Sequence, residues 1–171
     1  MQPTQIVKLS EQDVIEAAKQ GYAAFCELFA NAVLGAVGGS LTADNMNKLN
    51  ADQITLVAYF MLRGEVLEGG FVQLIHNGYG PFIFENPFAK AMRLMGLRGF
   101  CNLLYDVRRE YVKSGKELAC DCSDEEFMAL YEQHPEYDEY DDDFIEREPH
   151  FTEAIAKYID EHVERFALIT K

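Results

Sequence analysis

The chain contains no tryptophan, and its cysteines, histidines and prolines number only four, four and five. Cys26, Cys101, Cys120 and Cys122 are too few and too irregularly spaced for a disulfide framework in a chain of this size, and they suit a reducing, cytoplasmic setting. No uninterrupted apolar run approaches the roughly 18 to 20 residues that span a bilayer, and the opening MQPTQIVKLSEQD lacks the basic-then-apolar order of a secretion signal. Period-two alternation never persists beyond a few residues, so strands find little support. Basic residues are scarce too. Fifteen Lys and Arg stand against 29 Asp and Glu, a net charge of −14 that repels nucleic acid and anionic membrane and favours basic proteins or metal cations.

Apolar residues are plentiful, 49% of 171, which is enough for the core of a single domain covering residues 1–171. The acidity is concentrated. Asp121–Glu148 holds thirteen carboxylates against one base, Arg147, and so carries twelve of the fourteen net negative charges. The acids are Asp121, Asp124, Glu125, Glu126, Glu132, Glu136, Asp138, Glu139, Asp141, Asp142, Asp143, Glu146 and Glu148. Five aromatics (Phe127, Tyr131, Tyr137, Tyr140 and Phe144) are interleaved with them, whereas disordered acidic tails are poor in such residues. The stretch is therefore expected to be an acidic surface pinned to the core. Holding like charges close together costs self-repulsion, which an ordinary surface avoids by mixing signs.

Helical periodicity organises the rest. A helix capped by Ser10, with Glu11 and Asp13 in its first turn, is expected to run to about Gly35 on a stripe from Val14 to Ala32 and to end at Gly38-Gly39-Ser40. Asn50 and Gln53 make an Asn version of the capping box for a second helix. Arg63–Gly80 is helix-compatible but rich in glycine; Pro81 closes it, and Asn86-Pro87 restarts a helix that reaches Gly96. Another helix, about Arg98–Ser114, stops at Gly115, and a Ser123/Glu126 capping box opens a short one before Pro135. Pro149 then opens a terminal helix whose apolar side runs from Phe151 through His162 to Ile169. The fold class is all-α, with about six to eight helices.

Clustered carboxylates raise calcium first. An EF-hand loop needs oxygens at alternate positions, Gly at the sixth and Glu at the twelfth. Counted from Asp138, the third position is Tyr140 and the sixth Asp143; counted from Asp141, the fifth is Ile145 and the sixth Glu146, so neither register fits. Cys120-x-Cys122 with His134 or His150 supplies half a zinc motif, since structural zinc asks for two spaced ligand pairs. His76-Asn77 has no Ser or Cys nucleophile in a recognised setting, and no phosphate-cradling GxxxxGK[ST] occurs. No catalytic residue, metal or cofactor is assigned, and the chain reads as a non-enzyme.

As a charge array the stretch fits better. Its residues, at about 1.5 Å each, would span about 42 Å, or about 3.5 Å per net charge, beside about 3.4 Å per phosphate along one DNA strand. Pro135 within the stretch and Pro149 just past its end are expected to interrupt helix, so the comparison concerns linear charge density alone. Such an array would satisfy the Lys and Arg side chains that a DNA-binding protein offers to phosphates. Glu16, Asp44, Asp52 and Glu68 are possible extensions of it. The alternative is a generic protein-interaction module whose acids only preserve solubility.

Glu65-Val66, Gly69-Gly70-Phe71, Gln73, Asn77 and Gly80 follow one another with the spacing E-V-x-x-G-G-F-x-Q-x-x-x-N-x-x-G. In this motif the chain resembles a bacterial family of small, mostly helical proteins, and in length, acidity and aromatic-acid pattern it resembles that family's characterised DNA mimic in Neisseria. The resemblance implies an α-helical homodimer that binds a helix-turn-helix transcription factor and keeps it from its operator. It carries over no partner-contacting residue, because the motif and the acidic stretch are different parts of the sequence. Gly69, Gly70, Phe71, Gln73, Asn77 and Gly80 are read as structural: the glycines permit close helix approach, and the Gln and Asn amides satisfy backbone groups at a helix end.

Overall fold

Side-chain caps decide where three of the helices begin. Ser10 accepts from the Asp13 N–H at 3.1 Å and opens α1 (Glu11–Gln20). Asn50 and Gln53 exchange hydrogen bonds of 3.0 and 2.9 Å at the start of α3 (Ala51–His76), and Ser123 and Glu126 do the same at 2.8 and 3.3 Å before α7 (Asp124–Gln133). The computed structural model describes residues 5–171, and among them the fold is all-α apart from one two-stranded sheet. The other helices are α2 (Tyr22–Ala36), α4 (Gly80–Phe84), α5 (Phe88–Leu94), α6 (Arg98–Leu118), α8 (Asp138–Glu161) and α9 (Val163–Phe166). Among the described residues no helix is long and apolar enough to cross a membrane.

The chain divides into two compact units, one made of the chain up to Phe60 with Pro149–Lys171, the other of Met61–Glu148. In the first, Phe29 of α2 meets Phe166 edge-on at 6.4 Å, the buried Tyr59 and Thr152 hydroxyls bond at 2.7 Å, and the Gln53 amide donates to the Phe166 carbonyl at 3.0 Å. Its short strands β1 (Lys8–Ser10) and β2 (Leu168–Thr170) pair in parallel, with Leu9 opposite Ile169. In the second unit, the buried rings of Phe71, Phe100 and Phe144 bring α3, α6 and α8 together, with centroid separations of 6.2 Å (Phe71 to Phe144) and 5.7 Å (Phe100 to Phe144). Edge-on and tilted ring pairs of this kind add to the area they bury.

Several elements differ from the sequence-based expectations. The first helix is two, because Gly21 at φ 113° turns the chain between α1 and α2; of the expected stripe, Ala17, Phe25 and Phe29 are buried, whereas Ala18 and Tyr22 beside the turn are exposed. Pro81 lies in the first turn of α4 and so begins a helix; Asn86 donates to the Pro81 carbonyl at 3.1 Å, and α5 has no side-chain cap. Gly115 lies inside α6, where a Cβ would stand 2.6 Å from the Tyr111 ring, so this glycine serves packing. Pro149 lies inside α8. The terminal apolar run is divided as well: α8 ends at Glu161, His162 stacks on Tyr158 at 4.4 Å, and Ile169 belongs to β2. The two strands escape sequence patterning because each has three residues and takes its partner from the opposite end of the chain. Of the lead-in expected over residues 1–10, Met1–Thr4 lie outside the described residues and Lys8–Ser10 is strand.

Two helical glycines are expected to respond oppositely to the same change. Gly35 has open space where a Cβ would go, so Gly35→Ala should raise stability by up to about 1 kcal/mol. Gly115→Ala should lower it by about 1–3 kcal/mol as the Tyr111 ring is displaced. Urea denaturation of both variants against the parent chain measures the two changes.

Candidate functional site

The acidic stretch has an inward and an outward face. Tyr137, Asp141, Phe144 and Glu148 recur at three- and four-residue spacing and are all buried, so two of the thirteen acids point into the second unit. Each has a specific partner. Glu148 pairs with Arg63 at 2.6 Å, both side chains being largely shielded from solvent. Asp141 meets a break in α3, where Gly69 (φ −150°) and Gly70 (φ 72°, ψ −176°) leave the helical region. Helix resumes at Phe71, whose N–H belongs to a new first turn and has no acceptor within the helix. Asp141 Oδ1 accepts it at 2.7 Å. Gly70 is required here twice over, because its backbone angles suit glycine alone and because a Cβ would overlap the Asp141 carboxylate.

The remaining motif residues brace this break. Glu65 accepts from the Gln73 amide at 3.0 Å and from the Asn77 amide at 2.7 Å, which ties α3 together across the two glycines. Glu68 accepts from the same Gln73 amide at 3.2 Å. The expectation that Gln73 and Asn77 serve backbone groups is thus corrected: a carboxylate one or more turns earlier provides the acceptor. Phe71 is fully buried, and Gly80 leaves room for the Tyr111 ring. Nothing short-range marks Arg63 as the partner of Glu148, 85 residues away. The only signal is an acid standing on an apolar helical stripe.

Outward-facing acids make the candidate surface. Asp121, Asp124, Glu125, Glu126, Glu132, Glu136, Asp138, Glu139, Asp142 and Glu146 are exposed, while Asp143 is half-buried and paired with Arg147 at 2.8 Å. On α8, Asp138, Asp142 and Glu146 stand four residues apart, a rise of about 6 Å per step along one face. Glu126 is engaged by its cap, and the Ser123 N–H holds its carboxyl below the usual range. His134, buried between α7 and α8, donates from Nδ1 to Glu136 at 2.8 Å and presents Nε2 to Glu117 at 3.7 Å. The aromatics are pins, as their interleaving implies: Phe144 is fully buried, Phe127 packs on His76 at 4.5 Å, and the Tyr137 hydroxyl bonds Ser114 at 2.8 Å. Burial pushes the Tyr137 hydroxyl up to about 12, so it stays a neutral hydrogen-bonding group.

The proposed extensions divide between the units. Glu68 shares the unit of the acidic stretch, whereas Glu16, Asp44 and Asp52 belong to the other. Glu16 is paired with Lys19 at 2.8 Å and Asp52 with Arg165 at 3.5 Å, while Asp44 is exposed. Cys120 and Cys122 are free thiols, and among the described residues no three His, Cys, Asp or Glu side chains are grouped to hold a metal ion. His76 donates from Nδ1 to the Leu118 carbonyl at 2.9 Å, which places it in the link between α3 and α6.

The model of the family described as DMP19-like protein matches residues 47–162. This chain belongs to the DMP19-like protein family. It is 34% identical over 128 residues to the DNA mimic protein DMP19 of Neisseria meningitidis serogroup B, a region covering 74% of this chain and 77% of that protein. The family match takes in the whole of the broken helix α3 from Ala51, the motif from Glu65 to Gly80 and the entire acidic stretch. Outside it lie β1, α1, α2, α9 and β2.

Asp141 generates a pH signature. Burial pushes its carboxyl up to about 6, the Phe71 N–H opposes that rise, and Asp138 and Asp142 add to it. Because the folded-state value lies above the unfolded-state value of 3.8, the native protein holds this proton more tightly. The resulting stability is fully present below about pH 4 and is lost as pH rises through about 6. Asp141→Asn keeps the acceptor for Phe71 and removes the titration. The stability difference between parent and variant should therefore shift towards the parent by on the order of 2–3 kcal/mol from pH 7 to pH 4, as read by urea unfolding at each pH.

Proposed function

We propose that this protein is a DNA mimic: a cytoplasmic, non-enzymatic homodimer whose carboxylates occupy the DNA-binding surface of a helix-turn-helix transcription factor and compete with operator DNA. The observation that carries this reading is the set of ten exposed carboxylates held on and around α7 and α8 by a capping box and buried aromatics, in a chain that shares 34% identity with a protein named a DNA mimic. Membership of the DMP19-like family supports it independently of charge. Electrostatic complementarity of this kind steers a basic partner and repels nucleic acid, so the expected partner is the protein that binds DNA and not the DNA itself.

Rigidity is the other half of the reading. A disordered acidic tail must be ordered on binding, and that entropy is subtracted from affinity, whereas a capped α7 and an α8 pinned by Phe144 and by the preceding Tyr137 already hold their carboxylates in place. Asp141 and Glu148 serve the interior, and Asp143 is shared with Arg147, so the carboxylates that stand in for phosphates are the ten exposed acids, with Glu68 as an extension in the same unit. Lacking the condensed counterions of a duplex, the mimic should show a shallower salt dependence than DNA does.

A purified helix-turn-helix regulator from the same genome should release its operator as this protein is added in a mobility-shift titration, with no ternary complex. Its affinity for the protein should fall between 50 and 200 mM salt less steeply than its affinity for DNA. Combined Asp138→Asn, Glu139→Gln and Asp142→Asn substitutions should weaken the complex about tenfold while leaving or raising the unfolding midpoint. A ternary complex, or binding indifferent to salt, would instead identify an interaction module that docks away from the DNA-reading surface.

A further inference from the structure

A trough of about 530 Å³ runs between α6 and α8 in the second unit. The two helices are antiparallel there, since Gly99 faces Arg147, Phe100 faces Phe144 and Ser114 faces Tyr137. From α6 the lining includes Gly99, Asn102, Asp106 and Arg109; from α8 it includes Glu139, Asp143 and Arg147. Gly99 to Arg109 corresponds to about 15 Å of helix, close to three turns.

Two features separate this trough from the rest of the acidic surface. It mixes signs, with Arg147 paired to Asp143 at 2.8 Å near one end and Arg109 paired to Asp106 near the other, although Arg147 is the sole base of Asp121–Glu148. It is also shaped for one of those cations. A Cβ on Gly99 would overlap the Arg147 guanidinium, so the absence of a side chain on α6 is what seats that group against the helix. A patch that only supplied negative charge would have no use for either feature.

We propose that the trough receives the base-reading side chains of the partner's recognition helix, an inference that rests on the DNA-mimic reading and extends it from phosphates to base edges. On DNA, phosphate contacts position a protein and base-edge contacts specify it, through donors and acceptors offered side by side in the groove. Here the guanidiniums of Arg147 and Arg109 and the Asn102 amide offer donors, while Asp106, Asp143 and Glu139 offer acceptors. Asp138, Asp142 and Glu146 flank them in the place of phosphates. The helix that fits carries a glutamine, asparagine or glutamate between its lysines and arginines. A helix bearing cations alone leaves the donors of Arg109, Arg147 and Asn102 without acceptors, which favours the mixed helix over a polycation of equal charge.

Two synthetic helical peptides of equal length and equal net positive charge test this directly. One displays only lysines; the other displays a glutamine and a glutamate four residues apart, flanked by additional lysines. At 150 mM salt, fluorescence anisotropy should show the parent protein binding the mixed peptide at least fivefold more tightly. That preference should shrink to within twofold in the Arg109→Gln, Arg147→Gln double variant, and also in Gly99→Ala, which keeps every charge but unseats Arg147. Equal, salt-sensitive binding of both peptides would overturn the trough's role and leave the DNA-mimic reading standing. Absence of salt-sensitive binding by either peptide would overturn both, and a preference that survives in both variants would place the discrimination elsewhere.

Discussion

One hydrogen bond, from the Phe71 N–H to the Asp141 carboxylate, joins the two parts of this sequence that carry information. The glycine pair in α3 breaks the helix and exposes a fresh N-terminus inside the second unit, where an orphaned N–H would cost on the order of 1–3 kcal/mol. The acidic helix supplies the carboxylate that answers it. Glycine at position 70 admits the backbone angles and also leaves the space the carboxylate fills, so neither residue can be changed without disturbing the other. The Glu65, Gln73 and Asn77 side chains then brace the break from within α3 itself.

That bond also explains how a helix so densely charged is held in place. Helix α8 lies against α3 through Asp141, Phe144 and Glu148 and against α6 through Phe144, with Tyr137 just ahead of it bonding Ser114, and the other acids of the stretch on α8 are exposed or half-buried. Of the two buried acids, Glu148 is neutralised by Arg63, and Asp141 accepts the Phe71 N–H on Oδ1 while its Oδ2 stays buried without a hydrogen-bond partner. Exposed acids keep their hydration and lose only to mutual repulsion, which a partner's cations can relieve. The same run of residues is thus divided by the helical repeat: the inward stripe maintains the fold, and the outward stripe remains exposed for the proposed partner.

The acidic surface is more structured than its composition implies. Capping at Ser123 engages Glu126, His134 hydrogen-bonds Glu136, and Arg147 neutralises Asp143 while lying over Gly99. These local arrangements reduce the number of free carboxylates and give the surface polarity of both signs along the α6–α8 trough. A mimic of a groove, as distinct from a mimic of a backbone, requires that mixture.

Much of this was determined by sequence alone. The all-α class, the caps at Ser10, Asn50 and Ser123 and the pinning of the acids by Phe127, Tyr137 and Phe144 follow from short-range spacing, because helix periodicity and capping act within about four residues. What reached across the chain was decided only by tertiary structure. The break at Gly21, the pairing of β1 with β2, the passage of α8 through Pro149, the seating of Arg147 on Gly99 and the withdrawal of Asp141 and Glu148 into the interior each depend on a group distant in sequence or on backbone angles no local pattern specifies. A carboxylate has the same letter whether it faces water or a helix N-terminus. Only packing distinguishes the acid that holds the fold from the acid left exposed to solvent.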